Sequence, residues 1–137
     1  MHAPSAILET VIYAADLDAA EGFYRDVFGL ELVRKLEQQF VFFRCGQQML
    51  LIFNPENSIQ PDPKNPVPRH GSTGPGHFCF VAEDGHEVAD WKAHFISNGI
   101  EIEHFHRWPN GSVSVYIRDP AGNSIEVGER KMWVETE

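Results

Sequence analysis

Cysteine is nearly missing: Cys45 and Cys79 are the only two in 137 residues, and they form no CxxC pair. Neither a disulfide framework nor a zinc ribbon can be built from them, so reduced thiols and a cytoplasmic setting are the expectation. Basic residues are scarce as well, with 11 Lys and Arg against 20 Asp and Glu and a formal net charge of −9. Without a basic block, such a chain is a poor partner for nucleic acid or an anionic membrane surface, and its field would steer a cationic ligand weakly inward. No apolar run approaches the ~20 residues that span a bilayer. The start, Met1-His2-Ala3-Pro4-Ser5, lacks the cationic-then-apolar pattern of a secretory leader. What is present is ordinary globular stock, 42% hydrophobic, 12% aromatic and 23% charged. A chain of this length buries roughly 68–70% of its unfolded surface, enough for one domain or two small halves sharing a core.

The chain repeats itself. Glu9, Asp16, Phe23 and Val27 reappear, in like surroundings, as His77, Asp84, Trp91 and Phe95, all at one constant offset. Gly29-Leu30-Glu31-Leu32 matches Gly99-Ile100-Glu101-Ile102, and Phe42-Phe43-Arg44 matches Tyr116-Ile117-Arg118. A constant spacing through successive elements signals duplication. Each half reads as a strand, a helix and three strands. Asp16 or Asp18 can cap the first helix, Asp18 with Glu21 resembling a capping box. Ala20, Phe23, Tyr24 and Val27 share one helical face, as do Val88, Trp91 and Phe95; Gly29 and Gly99 suit the left-handed stop. Asn110-Gly111, between Ile102–Trp108 and Val113–Arg118, predicts a type I′ hairpin. Asp119-Pro120-Ala121-Gly122-Asn123 is a further turn.

These signals place a first module over 7–54, a second over 77–129 and a tail over 130–137, within a single domain of 1–137. Between the modules, residues 55–76 carry six prolines and predict an irregular, extended linker. Its reach allows the modules to pair within one chain or to exchange between two.

Alternate strand residues share a face. Glu9, Val11 and Tyr13 therefore point one way and Leu8 with Ile12 the other; His77, Cys79 and Val81 oppose Phe78 with Phe80. Glu9 and His77 hold equivalent places in the repeat, each ionisable in an otherwise apolar strand. Glu126, between Ile125 and Val127, turns its carboxylate away from the helix side. A single strand Glu is ordinarily solvated, and a lone His beside an aromatic is ordinarily a hydrogen-bonded core residue. The coincidence of repeat-equivalent positions favours instead a divalent cation held by Glu9, His77 and Glu126, because coordination removes the cost of burying a carboxylate. Two carboxylates and an imidazole leave coordination sites open, as in catalytic centres. Leu50 or Leu51 stands where the first half would supply a counterpart of Glu126.

Parity adds pocket candidates: Tyr13, Phe42 and Arg44 in the first half, Cys79, Ser114, Tyr116 and Arg118 in the second, and Trp108 beside the hairpin. The arginines would hold an anionic or carbonyl substrate if they face inward. Trp108 and Cys79 serve equally as packing residues. His70, His86, His94, His104 and His106 are expected on the surface or in loops, although His104 and His106 share strand parity.

With Leu8-Glu9-Thr10, Phe23-Tyr24-Arg25-Asp26-Val27-Phe28-Gly29-Leu30, Gly74-Pro75-Gly76-His77 and Arg118-Asp119-Pro120-Ala121-Gly122-Asn123-Ser124-Ile125-Glu126, the chain resembles the vicinal-oxygen-chelate superfamily. That superfamily includes glyoxalase I, fosfomycin- and bleomycin-resistance proteins and extradiol dioxygenases. The resemblance implies an α+β fold of two βαβββ modules forming an incomplete, curved mixed-sheet barrel with helices outside. It also implies a metal held at Glu9, His77 and Glu126, and a homodimer. The implied activity is that of a lyase, isomerase or transferase on a small molecule chelated through vicinal oxygens, with Glu126 or Glu9 as the base. Zn²⁺, Mn²⁺, Ni²⁺ and Fe²⁺ all suit the ligand set. A drug-sequestering protein of the bleomycin-resistance type is the alternative. An extradiol dioxygenase is disfavoured, because Glu9 breaks the 2-His-1-carboxylate triad.

Overall fold

A computed structural model describes residues 1–134 of the chain, which divide into two compact units, Met1–Pro75 and the part from Gly76 onward. The first unit runs β1 (Glu9–Tyr13), α1 (Leu17–Asp26), β2 (Glu31–Leu36), β3 (Phe40–Cys45), β4 (Gln48–Phe53) and a one-turn α2 (Pro55–Ser58). The second runs β5 (His77–Ala82), α3 (Gly85–Ser97), β6 (His104–Arg107), β7 (Val113–Arg118) and β8 (Ser124–Glu129), ending in a 3₁₀ turn over Arg130–Trp133. Each unit is therefore a βαβββ module of an α+β fold. The sheets have the matching orders β1-β4-β3-β2 and β5-β8-β7-β6, neither of them closed. In both, the opening strand lies parallel to the last while the other pairs are antiparallel.

One face of each sheet is buried. In the first unit Ile12, Val41, Phe43, Leu50 and Ile52 are buried with Ala20 and Tyr24 of α1. In the second, Val113, Val115, Ile117, Ile125 and Val127 are buried with Val88 and Phe95 of α3. Burying a side chain of this size stabilises by roughly 1.5–3 kcal/mol, so the helix-facing rows hold each module together. The register leaves Glu9, Val11 and Tyr13, and in the other unit His77, Cys79 and Glu126, on the opposite faces. Leu8, expected on the packed side, precedes the first strand and is exposed.

Asp16, not Asp18, caps α1 by accepting from Ala19 N–H at 3.0 Å, and Asp84 caps α3 by accepting from Glu87 N–H. Asp18 lies inside the first turn, so its predicted pairing with Glu21 as a capping box is replaced by Glu21 bridging Arg25 and Lys35. Gly29 and Gly99 take φ of 67° and 72° just beyond the helices, as predicted. The hairpin differs from the type I′ expectation. Gly111 N–H bonds to Trp108 O and Trp108 N–H to Ser112 O, and only Gly111 of the Asn-Gly pair has positive φ. Pro109 is the reason: its fixed φ places it at the first corner of a type I turn, and Gly111 supplies the following left-handed residue. Strand β6 is correspondingly shorter than the predicted Ile102–Trp108. The proline-rich stretch is not wholly irregular either, since Asn54 caps the α2 turn and Pro55 starts it.

Candidate functional site

Glu126 is the most conspicuous ionisable group of the second unit. Its residue is 4% exposed, and Oε2 has no hydrogen-bond partner among the described residues. The register explains how it comes to be there. Across the sheet, Glu126 lies between Cys79 of β5 and Tyr116 of β7, and Tyr116 is opposite His104 of β6. Because facing residues share a side, one row of the helix-free face reads Cys79, Glu126, Tyr116, His104.

His77 enters from the next row. Its Nε2 lies 3.2 Å from Glu126 Oε1, and its Nδ1 lies 3.0 Å from the Ser124 carbonyl oxygen. That carbonyl can only accept, so Nδ1 carries a proton and donates it. In the neutral ring Nε2 is then a lone pair facing a carboxylate oxygen. Two acceptors in that position need a proton or a cation between them. Two ligand atoms held 2.0–2.2 Å from one ion subtend roughly 90–110° when they are 3.2 Å apart, the angle of adjacent metal ligands. An imidazole fixed by a carbonyl on its far nitrogen is also how proteins orient metal-binding histidines. The buried, unpartnered oxygen and the oriented imidazole thus fit a divalent cation.

The flanking groups feel the same carboxylate. Burial and then the Glu126 charge push the Cys79 thiol up to about 12. Burial, followed by the same charge, pushes Tyr116 up to about 12. Both stay protonated at neutral pH, so Cys79 is no nucleophile and Tyr116 offers an O–H donor. Although Cys79 is an exposed residue, alkylation by iodoacetamide at pH 8 is expected to be slow. It should accelerate in Glu126→Gln, which removes one of the charges opposing the thiolate; equal rates in the two proteins would remove Glu126 from the environment of the thiol.

The remaining predicted residues fall into distinct roles. Ser114 is fully buried, accepting from Trp108 Nε1 at 2.9 Å. A Cβ on the neighbouring Gly128 would come within 2.8 Å of its Oγ, which explains glycine there. Arg118 is held by Glu103 through Nε and Nη2 and donates Nη1 to Gly122 O. Arg44 is likewise faced by Glu31 at 3.8 Å. Each arginine expected to hold substrate is therefore answered by a glutamate of the adjacent strand region, a pairing that strand parity alone does not reveal. In the first unit Tyr13 bonds His70 Nδ1 at 2.7 Å, and His70 packs edge-on against Phe53. His70 is a loop residue, as expected, but half-buried, and it ties the proline-rich stretch to the sheet. Phe42 stacks on Phe40 with centroids 4.1 Å apart. Glu9 is exposed on β1 opposite Met49, and the register identifies Leu51, not Leu50, as the counterpart of Glu126. Within each unit, among the described residues, no group of three His, Cys, Asp or Glu stands together as a metal cluster.

Two grooves among the described residues bear on the site. One, of about 420 Å³, is lined by Ser124, Tyr116, Arg118, Trp108, His104 and His106. The other, of about 790 Å³, lies in the first unit around the capping residues Asp16 and Asn54. The smaller is the chemical candidate, because its lining includes Tyr116, which is paired with Glu126, and Ser124, which holds His77.

Two open βαβββ modules with the same element order and the same strand order define a duplicated α+β scaffold. The chain belongs to the Glyoxalase/Bleomycin resistance protein/Dioxygenase superfamily, whose profile matches residues 6–127. It is similar to a crystal structure of lactoylglutathione lyase from Agrobacterium tumefaciens, with 65% identity, a TM-score of 0.95, and coverage of 96% of this chain and 98% of that one. It is 31% identical over 113 residues to a catechol-2,3-dioxygenase of Bacillus subtilis (strain 168), matching 81% of this chain but 36% of that protein. A virulence protein of Salmonella typhimurium (strain LT2) is 27% identical over 124 residues, 87% of this chain and 80% of that one. No helix among the described residues is long and apolar enough to cross a membrane.

Proposed function

We propose that the chain is a divalent-metal-dependent lyase, isomerase or transferase of the glyoxalase type, with Glu9, His77 and Glu126 as the metal ligands. The observation that carries this reading is the buried Glu126 carboxylate, one oxygen beside His77 Nε2 and the other without a partner. The similarity to a lactoylglutathione lyase supports a reaction of that general kind. When bound, the ion would act as a Lewis acid, acidifying the proton next to a chelated carbonyl.

The protein groups divide the remaining work. His77 is oriented by Ser124 so that Nε2 faces the cation site. Glu126, or Glu9, takes the proton, since a carboxylate beside the chelated substrate is the available base. Tyr116, still protonated at neutral pH, donates to a substrate oxygen. Leu51 in place of a further carboxylate keeps the ligand set at three. Two carboxylates and one imidazole do not match the ligands of iron oxygenases, which weighs against carrying over the activity named for the dioxygenase relative.

The test is solvent exchange. Protein loaded with Mn²⁺, incubated with small α-hydroxycarbonyl compounds in D₂O, should exchange the proton next to the carbonyl. Apo protein and His77→Ala, which should still fold, should not. A compound that binds without exchange in the loaded protein would instead establish the sequestering alternative, and failure to retain metal would end both the ligand assignment and the reaction.

A further inference from the structure

His104 and His106 lie on the same face of β6, opposite Tyr116 and Ser114 of β7. His104 Nε2 is 3.2 Å from His106 Nδ1, and both residues line the groove of about 420 Å³. They are not loose surface rings. His106 packs edge-on against Trp108 with centroids 4.5 Å apart, and the Trp108 indole is itself fixed by its bond to the buried Ser114. His104 tilts against Tyr116 at 6.1 Å. The pair is thus pre-organised from both sides.

We propose that His104 and His106 form a second metal site, for a borderline transition ion such as Ni²⁺, Zn²⁺ or Cu²⁺. Imidazole suits those ions, and a chain of formal net charge −9 does not repel a cation. With metal–nitrogen distances of 2.0–2.1 Å, a separation of 3.2 Å closes a chelate angle of roughly 100°, between the octahedral and tetrahedral values. Only two positions are filled by protein, so the others go to water or to an oxygen of a bound small molecule. Glu103, the nearest acid in sequence, is held by Arg118 and does not complete the shell.

The site is separate from the His77–Glu126 pair. Strand β7 lies between β6 and β8. Two inter-strand spacings amount to roughly 9–10 Å, too far for one shared ion and close enough for one ligand molecule to touch both.

The experiment uses Glu126→Leu, which removes the first site, and titrates Ni²⁺ alone while following tryptophan fluorescence. Saturable quenching at one equivalent is expected, because the ion binds beside Trp108. Quenching should be lost in Glu126→Leu/His104→Ala and in Glu126→Leu/His106→Ala. Glu126→Leu/His104→Gln, which keeps a polar side chain, serves as a second variant should the alanine form fold poorly. Absence of saturable quenching in Glu126→Leu, or quenching unchanged in the histidine variants, would overturn the proposal. Neither result bears on the first site, which is read by comparing Glu126→Leu with the unaltered protein.

Discussion

Replacing Glu126 with leucine is expected to abolish metal binding at the His77 position and, in metal-free protein, to raise stability by about 1–3 kcal/mol. The gain is the desolvation penalty of a buried polar group left without its partner. Oε2 of Glu126 is such a group, and the residue is 4% exposed. The repeat shows that leucine is tolerated at this place, since Leu51, its counterpart, is packed at 8% exposure. A protein that keeps a costly carboxylate where leucine would fit is giving up stability for a function. Urea unfolding in the presence of chelator measures the first effect and equilibrium dialysis with Mn²⁺ the second. A loss of apo stability would mean that the carboxylate is satisfied within the fold, and the argument for a cation would lose its basis.

Asn123→Ala should have the opposite sign and a larger size. Asn123 is 2% exposed; its Oδ1 accepts from Gly76 N–H at 2.7 Å and its Nδ2 donates to Asp119 Oδ2 at 3.0 Å. Alanine removes both bonds and takes a partner from a buried carboxylate and from a backbone N–H. At roughly 1–3 kcal/mol each, the expected loss is about 2–5 kcal/mol. The effect reaches the site through the backbone. Gly76 precedes His77, Ser124 follows Asn123, and the Ser124 carbonyl orients the imidazole. Metal affinity should therefore fall by about tenfold or more, as for other losses of support around a ligand. Unchanged affinity in the fraction that remains folded would show that this turn matters to the fold alone.

Strand parity was enough to read much of this arrangement from the residues. The faces of β1, β5 and β8 follow from simple alternation, and the βαβββ order follows from the repeat with its helix caps and glycine stops. Where neighbours in space are distant in sequence, the reading ran short. Nothing local says that Arg118 meets Glu103 across the β6–β7 region, or that His70 reaches back from the proline-rich stretch to Tyr13. Choosing between Leu50 and Leu51 needed the β3–β4 register. Pro109 was the overlooked local signal: its fixed φ, not the Asn-Gly pair, decides the hairpin. The last turn illustrates both limits. Asp-Pro-Ala-Gly-Asn is legible as a turn, but the bond from Asn123 to Gly76, which ties it to the strand bearing His77, is a tertiary fact.

The central claim is that one ion sits between the imidazole and the buried carboxylate. Crystals of the Mn²⁺-loaded protein, measured at a wavelength where manganese scatters anomalously, test it most directly. An anomalous peak is expected about 2.0–2.3 Å from His77 Nε2 and from a Glu126 oxygen. No peak between His77 and Glu126 at full metal loading would contradict it.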